Sequence, residues 1–343
     1  MPQTRADLQA RLQDYLQGLW HKPVRVRGFR RFPVGLSWTT IGLTAEVGEG
    51  NDARTLPLVL RLGDPGGLFA PYTARPEYLA LQAFADVPAL PVARVHGYSD
   101  DETILGAPFM VADLVAGDTP MPWRGAGAAD GAQVQPSLAQ DFADALAAIH
   151  AFDWRRGGLD GLAGNVPASE VARHQVRHWA RHAGLGEDGA HPQMHYAQRW
   201  LEANAPQAEH VTVVHGDYRV GNFLQQDGRI TAILDWETVH LGDPHEDLAW
   251  AQSRTFAAGT ARVGGLFDRE AFHSRYQERS GIRIRPAVLR YYDVMVQFKM
   301  CAIQIGAQRR VDAGRASDVR MAVIGFQVAP ALMELNRLIG ELP

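Results

Sequence analysis

Apolar residues recur near the start of the chain at the spacing of an amphipathic helix. Leu8, Leu12 and Leu16 share one face of a helix predicted over Thr4–Trp20. The pattern then changes to short apolar runs between glycine-rich turns, which is typical of strands, with one further helix over Arg75–Ala85. The predicted strands are Val24–Phe32, Trp38–Val47, Leu56–Leu62, Val92–Tyr98, Thr103–Leu105 and Phe109–Val115. This part therefore predicts a small sheet with a helix crossing it.

The helical period dominates the second part of the chain, where Leu138–Ala151, Ser169–Ala183 and Pro286–Ala307 are predicted helices. The second of these carries histidines on one face. Histidines at i and i+4 can bind zinc, but the glutamate of an H-E-x-x-H motif is missing here. A solvated basic face is therefore the favoured interpretation for these residues: His174, His178 and His182.

A hairpin in the second part sets the distance between two oxygen-bearing side chains. Its strands, Phe223–Gln225 and Arg229–Leu234, are joined at Asp227-Gly228, a dipeptide that favours a type I′ turn. With that turn at the centre, position 222 pairs with position 233, so that Asp235 lies diagonally from Asn222, roughly 7–8 Å away. Carboxylate and amide oxygens suit Mg²⁺. Both side chains are therefore candidate ligands of one magnesium ion.

Asp217 lies five residues before Asn222 and two residues after His215. The same intervals occur in the protein-kinase loop H-R-D-x-x-x-x-N. A carboxylate at this place orients an acceptor hydroxyl and takes its proton, which contributes on the order of 10²–10⁴ in rate. Asp217 is therefore the candidate general base. Arg219 is a candidate for neutralising charge on a transferred phosphoryl group, the alternative being a salt bridge to a neighbouring helix.

The string from His215 to Asn222, the segment Ile233-Leu-Asp-Trp-Glu237 and the following Gly242–Trp250 together resemble the aminoglycoside phosphotransferase and choline kinase superfamily. Within it, the chain is most similar to the branch associated with acyl-CoA dehydrogenases, over roughly residues 25 to 335. The resemblance implies an α+β, two-lobed protein-kinase-like fold, with a small antiparallel-sheet N-lobe and a larger, mainly helical C-lobe.

The resemblance also divides the chain and assigns roles. Residues 1–116 would form the nucleotide-binding lobe and end in the hinge. Residues 117–343 would hold the catalytic loop (215–222), the metal-binding segment (233–237) and the acceptor site. ATP and Mg²⁺ are the implied cofactors, with Asp217 as the catalytic acid-base residue, Asn222 and Asp235 as metal ligands, and His215 and Asp247 as structural support of the site.

Three residues of the first lobe are candidates for contacts with the nucleotide phosphates. Kinases use a lysine on the third strand, paired with a glutamate on the next helix; here Arg61 takes that place, with Glu77 as its partner. Arginine can bind phosphate oxygens with two donors. Ser37 lies in the turn that would cover the phosphates. The alternative for Arg61 and Glu77 is an ordinary pair of surface charges.

Phe109–Gly117 resembles the hinge between kinase lobes, where backbone groups near Asp113 and Val115 would contact adenine. The following connection, Asp118–Pro136, is rich in Gly, Ala and Pro and reads as a long loop. Loops of this kind tend to be lids or binding loops. We therefore expect it to close over the acceptor substrate.

Composition excludes several other classes of protein. With 343 residues and 46% hydrophobic content, the chain is long enough for two cores, and a net charge of −4 gives no general attraction to nucleic acid. No apolar run approaches the roughly 18 residues of a membrane span. Its one cysteine, Cys301, cannot form an internal disulfide, so a reduced, cytoplasmic protein is predicted. The oligomeric state is left open.

The charge distribution bears on the acceptor. From Arg254 onward, 13 Arg and 1 Lys stand against 8 Asp and Glu, a surplus of six positive charges. If the C-terminal helices line the acceptor site, as the resemblance implies, a polycationic aminoglycoside would be repelled there. An anionic acceptor, such as a hydroxyacyl-CoA or a hydroxy acid, is favoured. Arg309, Arg310 and Arg315 are the candidate contacts, although arginines at helix ends are also common on surfaces.

The sequence therefore predicts an ATP- and Mg²⁺-dependent kinase of a small-molecule hydroxyl. An aminoglycoside or choline-type kinase is the alternative acceptor class. A member of a different class, a degenerate kinase fold that binds a nucleotide or acyl-CoA and regulates a partner, is the second alternative. Degenerate members usually lose the base or a metal ligand. The presence of Asp217, Asn222 and Asp235 favours an enzyme.

Overall fold

The computed structural model describes residues 4–33, 35–120, 135–162, 166–186, 191–257, 259–316 and 318–341. The chain begins with helix α1, Arg5–Trp20, as the leucine spacing predicts. Thr4 caps this helix, because its side chain accepts a hydrogen bond from the N–H of Asp7. The predicted lid falls largely on residues 121–134, which lie outside the described part.

The first part folds as a five-stranded sheet in the order β1-β2-β3-β5-β4, with all neighbours antiparallel. Helix α1 packs on one face through Leu8, Leu12 and Leu16, and helix α2, Arg75–Phe84, belongs to the core shared with the second part. The predicted strands are confirmed to within about three residues, except one. The strands are β1 Val24–Phe32, β2 Trp38–Val47, β3 Arg54–Gly63, β4 Val95–Ser99 and β5 Phe109–Asp113.

The strand predicted over Thr103–Leu105 is wrong. These residues form a single helical turn, α3, Glu102–Leu105. Asp101 caps it by accepting a hydrogen bond from the N–H of Thr103, and Gly106 ends it with φ +84°. A capping aspartate before the segment and a glycine after it mark a helical turn, and they outweigh the strand preference of three β-branched or apolar residues.

The second part is mainly helical and is built around α9, Pro286–Asp312, a helix of 27 residues. Helices α5, α6, α7, α10 and α11 pack against it. Most of its residues are buried, so it is the central element of the helical core. The other helices are α4 Pro136–Ala151, α5 Val171–His182, α6 Pro192–Ala203, α7 His245–Ala251, α8 Arg269–Ser280, α10 Arg320–Gly325 and α11 Val328–Gly340.

Four short strands position the two segments that carry the candidate chemistry. Strand β6, Thr212–Val214, pairs with β9, His240–Gly242, and β7, Phe223–Gln226, pairs with β8, Arg229–Ile233. Residues 215–222 connect β6 to β7, and residues 234–239 connect β8 to β9. The two connections therefore run between the same two strand pairs.

The hairpin turn is confirmed, because Asp227 and Gly228 both have positive φ, 52° and 74°. The predicted register is wrong by one residue. Phe223 lies opposite Ile233, and a bulge at position 231 leaves one extra residue in β8. Asn222 therefore faces position 234, whose N–H donates to the carbonyl oxygen of Asn222 at 2.8 Å.

The predicted solvated face of α5 is not exposed along its whole length, because His182 is partly buried. His182 packs against Phe69 and Trp179, with ring centroids 5.2 and 5.6 Å away. Burial lowers the pKa of His182 to about 4, so this ring is neutral at physiological pH. In the described part of the chain, no group of three or more His, Cys, Asp or Glu side chains could hold a metal ion.

One segment, Arg320–Gly340, is long and apolar enough to cross a membrane by length and composition alone. A single helix of this kind is weak support for a membrane span, since helices of soluble proteins pass the same test. In the structure the segment is divided into α10 and α11, and both pack against α9. The absence of a membrane partner and the cytoplasmic location remain predictions.

Candidate active site

A cavity of about 250 Å³ opens between the sheet and the helical part. Its polar end contains Asp217 and Arg219 from the first connection, Asp235 and Glu237 from the second, and Ser37 from the turn after β1. The sequence-predicted base, one predicted metal ligand and the predicted phosphate-covering turn are thus brought together. An apolar part of the lining, called the apolar wall below, consists of Leu36, Leu68, Phe69, Phe256, Met300, Ile303 and Ile324.

The carboxylate of Asp217 is held by three donors. Trp250 donates from Nε1 to Oδ1 at 2.7 Å, and Arg219 donates from Nε to the same oxygen at 3.0 Å. Asn222 donates from Nδ2 to Oδ2 and, at 3.0 Å, to the backbone carbonyl of Asp217. Hydrogen bonds to the charged form of a carboxylate stabilise it and fix its orientation. Asp217 therefore presents an oriented carboxylate to the cavity.

Arg219 pairs with Asp217, the predicted base. This contact takes the place of the salt bridge to a neighbouring helix that was the predicted alternative. Its guanidinium pairs with Asp217 at 3.0 Å and lies 5.3 Å from the ring centroid of Phe256. The side chain lines the cavity and is about a quarter exposed. Its guanidinium therefore lies beside the carboxylate of Asp217 at the cavity, and its role towards a phosphoryl group stays a prediction.

His215 ties the two connections together. Its Nδ1 accepts a hydrogen bond from the N–H of Asp217 at 3.1 Å, and its Nε2 bonds to the carbonyl oxygen of Leu234 at 2.9 Å. Accepting at one nitrogen and donating at the other requires the neutral ring. Burial lowers the pKa of His215, against the influence of Asp247, which agrees with that protonation state.

Asp247 holds the backbone that leads into Asp217. It lies in the first turn of α7 and is fully buried. Its Oδ2 accepts from the N–H of His215 at 2.7 Å, and its Oδ1 accepts from the N–H of Gly216 at 2.9 Å. His150 lies 3.2 Å from Oδ2. Although burial raises the pKa of Asp247, these hydrogen bonds and the facing histidines bring it below its usual value.

Arg61 is in contact with three carboxylates. Its NH1 lies 3.2 Å from Oε1 of Glu77 and 3.1 Å from Oδ1 of Asp235, and its NH2 lies 4.0 Å from Glu237. Both Arg61 and Glu77 are largely buried, so the alternative of a surface pair does not apply. Three acidic side chains therefore share one guanidinium. The predicted pairing of Arg61 with Glu77 is present, and Arg61 also contacts Asp235; its contact with phosphate stays a prediction.

Glu237 adds an unpaired oxygen at the same place. Ser37 donates to its Oε1 at 3.1 Å, while its Oε2 is buried without a hydrogen-bond partner. Burial raises the pKa of Glu237 to about 8, and the charge of Asp235 adds to this. Asp235 itself has φ +59°, an unfavourable backbone conformation for this residue that turns the chain out of β8. The carboxylate of Asp235 and the amide oxygen of Asn222 are the types of ligand that Mg²⁺ takes, and their sharing of one ion stays a prediction.

The predicted hinge, Phe109–Gly117, leads directly into a residue that pairs with the hairpin. The N–H of Asp113 bonds to Arg94 within the sheet, and the side chain of Asp113 bonds to His96 at 2.7 Å. Within the described residues, no backbone hydrogen bond uses the N–H of Val115. Of the two predicted adenine contacts, only Val115 therefore keeps a free peptide donor. Asp118 then pairs with Gln225 of β7.

The three predicted acceptor arginines are not among the residues that line the cavity. Arg310 donates to the carbonyl oxygens of Leu68 and Ala70, so it joins α9 to the segment after β3. The side chain of Arg309 lies against Gly184. Arg315 is exposed beyond the end of α9. The structure therefore does not bring this group to the site.

Two residues that contact the catalytic loop were not predicted from the sequence, and a third had no predicted role. Trp250 and Lys299 line the cavity, and each reaches the catalytic loop from a distant position in the chain. Trp250 lies at the end of the Gly242–Trp250 segment, so its place in that motif was the available signal. Lys299 carried a compositional signal, because it is a lysine within an apolar helix of an arginine-rich chain. Glu237 lay inside the predicted metal segment without an assigned role.

These features belong to a known class of proteins. A model of the phosphotransferase enzyme family matches residues 36–283, a range that contains most of the sheet, the hairpin and both connections. The chain therefore belongs to the phosphotransferase enzyme family. The resemblance found in the sequence motifs is confirmed.

Among curated proteins, the chain is similar to members of the acyl-CoA dehydrogenase family. It is 29% identical over 235 residues to acyl-CoA dehydrogenase family member 11 of Gallus gallus, covering 64% of this chain and 30% of that protein. It is 26% identical over 337 residues to family member 11 of Mus musculus, covering 92% of this chain and 41% of that protein. The chain thus spans less than half the length of these relatives.

Solved structures confirm the fold. A Ralstonia eutropha protein provisionally assigned as an aminoglycoside phosphotransferase superposes with a TM-score of 0.70 at 22% identity, covering 96% of this chain and 97% of the other. The aminoglycoside phosphotransferase APH(4)-Ia, in a ternary complex with AMP-PNP and hygromycin B, gives 0.60 at 17% identity, covering 96% and 97%. The chain therefore has the two-lobed, α+β kinase-like fold.

Proposed function

We propose that this protein is an ATP- and Mg²⁺-dependent phosphotransferase that moves the γ-phosphate to a hydroxyl group of a small molecule. One observation carries the proposal: the carboxylate of Asp217 is held by Trp250, Arg219 and Asn222 at the edge of a cavity. The nucleotide complex of the structural neighbour APH(4)-Ia supports ATP as the donor. Residues 1–116 would bind the nucleotide, and residues 117–343 would bind the acceptor.

The residues divide the chemistry between them. Asp217 would accept the proton of the substrate hydroxyl as that oxygen attacks phosphorus. Asn222 and Asp235 would hold Mg²⁺, which neutralises charge on the phosphates when it is bound. Arg61, kept in place by Glu77, would contact phosphate oxygens, and positioning together with charge neutralisation supplies most of the catalysis in this class of reaction.

The apolar wall of the cavity favours an acceptor with an apolar body. Eight of its lining residues, Trp250 included, are aliphatic or aromatic, and among the described residues the carboxylates that line it belong to Asp217, Asp235 and Glu237. These three have proposed roles in the proton and metal chemistry, so the described part of the lining leaves no carboxylate for the amino groups of an aminoglycoside. A hydroxyacyl chain, as in a hydroxyacyl-CoA or a hydroxy acid, fits the wall better. Arg219, which lines the cavity, would be the cation that faces an anionic group of the acceptor.

A panel of acceptors tests this proposal. The protein would be incubated with ATP and Mg²⁺ and each of several hydroxyacyl-CoAs, hydroxy acids, aminoglycosides and choline, and ADP release would be followed. We expect turnover to depend on Mg²⁺ and to be fastest with an apolar hydroxy compound. If a kanamycin-like amine is the best acceptor, the apolar-wall argument is wrong.

Asp217→Asn tests the assignment of the base. The asparagine keeps the shape and the contact with Trp250 but cannot take a proton, so we expect phosphoryl transfer to be lost while ATP affinity stays within a few-fold. The alternative of a catalytically degenerate regulatory protein predicts no ADP release from the parent protein with any acceptor. Retained activity in the variant would assign the proton transfer to another group.

A further inference from the structure

Lys299 is buried in the middle of α9, next to the residues that lead into Asp217. Its side chain is 1% exposed, and it is one of two lysines in a chain with 34 lysines and arginines. Burying an ammonium group is strongly unfavourable unless oxygen atoms and other groups replace its water. A lysine at this place therefore needs specific partners, and the structure supplies them.

Two oxygens and two aromatic rings surround the ammonium group. Nζ donates to the carbonyl oxygen of Gly216 and to Oε1 of Glu246, the latter at 3.1 Å. It lies 4.9 Å from the ring centroid of Trp179 and 4.8 Å from that of Trp250. Aromatic faces attract a cation at such distances. A compact point charge suits this enclosure, whereas the planar guanidinium of arginine has a different shape and donor geometry.

Lys299 reaches Asp217 by two short routes. The first is the peptide group of Gly216, whose N–H donates to Asp247 at 2.9 Å while its carbonyl oxygen accepts from Lys299. The second is Trp250, whose ring lies against the ammonium group and whose Nε1 donates to Asp217 at 2.7 Å. The backbone before Asp217 and one donor to its carboxylate are therefore both in contact with Lys299.

We propose that Lys299 is a positioning residue that fixes the orientation of the Asp217 carboxylate, acting through Gly216 and Trp250. The proposal rests on the proposed function, since it takes Asp217 as the general base. Lys299 also lines the cavity, but its ammonium group is engaged by Gly216 and Glu246. It therefore orients the base and does not bind the transferred phosphoryl group.

A merely structural role would be to neutralise Glu246. That side chain is 1% exposed, and its second carboxylate oxygen lies 3.2 Å from Nε2 of His240. Removing both charges separates the two roles. Lys299→Met alone leaves Glu246 with only His240, whereas Lys299→Met together with Glu246→Gln removes the ammonium group and the carboxylate that it neutralises together.

The experiment compares thermal unfolding, ATP affinity and steady-state kinetics for these variants. For the double variant we expect a melting temperature close to that of the parent protein, ATP affinity within about threefold, and a kcat at least about tenfold lower, the effect of losing roughly one charged hydrogen bond. Met295→Ala is the matched control. It removes a fully buried side chain of the same helix and should lower the melting temperature while leaving kcat unchanged.

Lys299→Arg gives a second test that keeps the positive charge beside Glu246. We expect it to fold and to have a lowered kcat, because a guanidinium cannot reproduce the same contacts with Gly216 and Trp250. Recovery of the parent kcat in the double variant, or a parent-like kcat in Lys299→Arg, would overturn the positioning role. Activity in Asp217→Asn would instead overturn the proposed base, so the two failures are distinguishable.

Discussion

Nε1 of Trp250 donates a 2.7 Å hydrogen bond to Oδ1 of Asp217 and so connects the end of α7 to the catalytic loop. An indole is a neutral donor with no acceptor, so this bond orients the carboxylate without adding a charge. The other oxygen, Oδ2, accepts from Asn222. Each oxygen of the proposed base is thus fixed by a different element of the helical lobe.

Trp250→Phe should lower kcat by about 10- to 100-fold, because it removes one hydrogen bond to a charged group, worth roughly 1.5–3 kcal/mol. The KM for ATP should stay unchanged, since the ring that packs near Lys299 is retained. Steady-state kinetics measure both constants. Trp154→Phe is the matched control, because Trp154 donates to the carbonyl oxygen of Val211 at 2.8 Å, away from the cavity. An unchanged kcat in Trp250→Phe would contradict this role.

Sequence spacing predicted the local geometry of the site well. The five-residue interval from Asp217 to Asn222 and the Asp-Gly turn are properties of neighbouring residues, and the structure brings both side chains to one place. The register error has a physical cause outside the hairpin. A bulge depends on the contacts of the extra residue, here Thr231, whose hydroxyl donates to the carbonyl oxygen of Ala116. That partner lies 115 residues away, which strand periodicity does not reveal.

The long-range contacts of the site were the part that the sequence did not predict. Lys299 and Trp250 meet the catalytic loop only because α9 and α7 pack together. Arg310 illustrates a contact that was expected from charge alone. Its charge suggested an acceptor contact, but in the structure it is satisfied by backbone carbonyl oxygens of the other lobe. A surplus of positive charge along a sequence does not show which way the side chains point, whereas the residues that line a cavity do.

Gly216→Ala should damage both stability and activity. Gly216 has φ +82°, and a Cβ there would lie 2.6 Å from Oγ1 and 2.7 Å from the carbonyl oxygen of Thr238. The strained backbone and the overlap should lower the free energy of unfolding by about 2–4 kcal/mol. The shift of the adjacent Asp217 should lower kcat by on the order of 100-fold. Chemical denaturation and kinetics measure the two effects.

Gly158→Ala is the control for backbone strain without overlap. It has φ +72°, and a Cβ there would meet nothing within 4 Å. We expect a loss of roughly 1–2 kcal/mol in unfolding free energy and no change in kcat. Equal effects of the two substitutions on kcat would mean that the contact with Thr238 does not position the loop.

Asp293→Asn should stabilise the protein at neutral pH. Burial raises the pKa of Asp293 from 3.8 to about 6, partly offset by a hydrogen bond from Gln252. The folded state therefore binds more protons than the unfolded state between about pH 4 and pH 6, and stability falls as pH rises through that window. Asparagine stays neutral and still accepts from Gln252. A shift of about two units corresponds to at most about 3 kcal/mol.

Denaturation at pH 4.5 and pH 7.5 measures this effect. Asp293→Asn should exceed the parent protein in unfolding free energy by about 1–3 kcal/mol at pH 7.5, and by much less at pH 4.5. Asp14→Asn, which changes an exposed carboxylate of α1, is the control and should give little difference at either pH. A gain of equal size at both values would show that the carboxylate charge is not its cause.

Ile324→Ser tests the apolar wall of the cavity. Ile324 lies on α10 and belongs to the apolar wall of the cavity, so a hydroxyl there should weaken binding of an apolar acceptor. Losing roughly 1–2 kcal/mol of apolar contact should raise the KM of the acceptor about 5- to 30-fold, with the KM for ATP unchanged. Val323→Ser is the matched control, because Val323 is 56% exposed and is not among the cavity-lining residues. If both variants raise the acceptor KM equally, α10 acts through its own stability and not through contact with the acceptor.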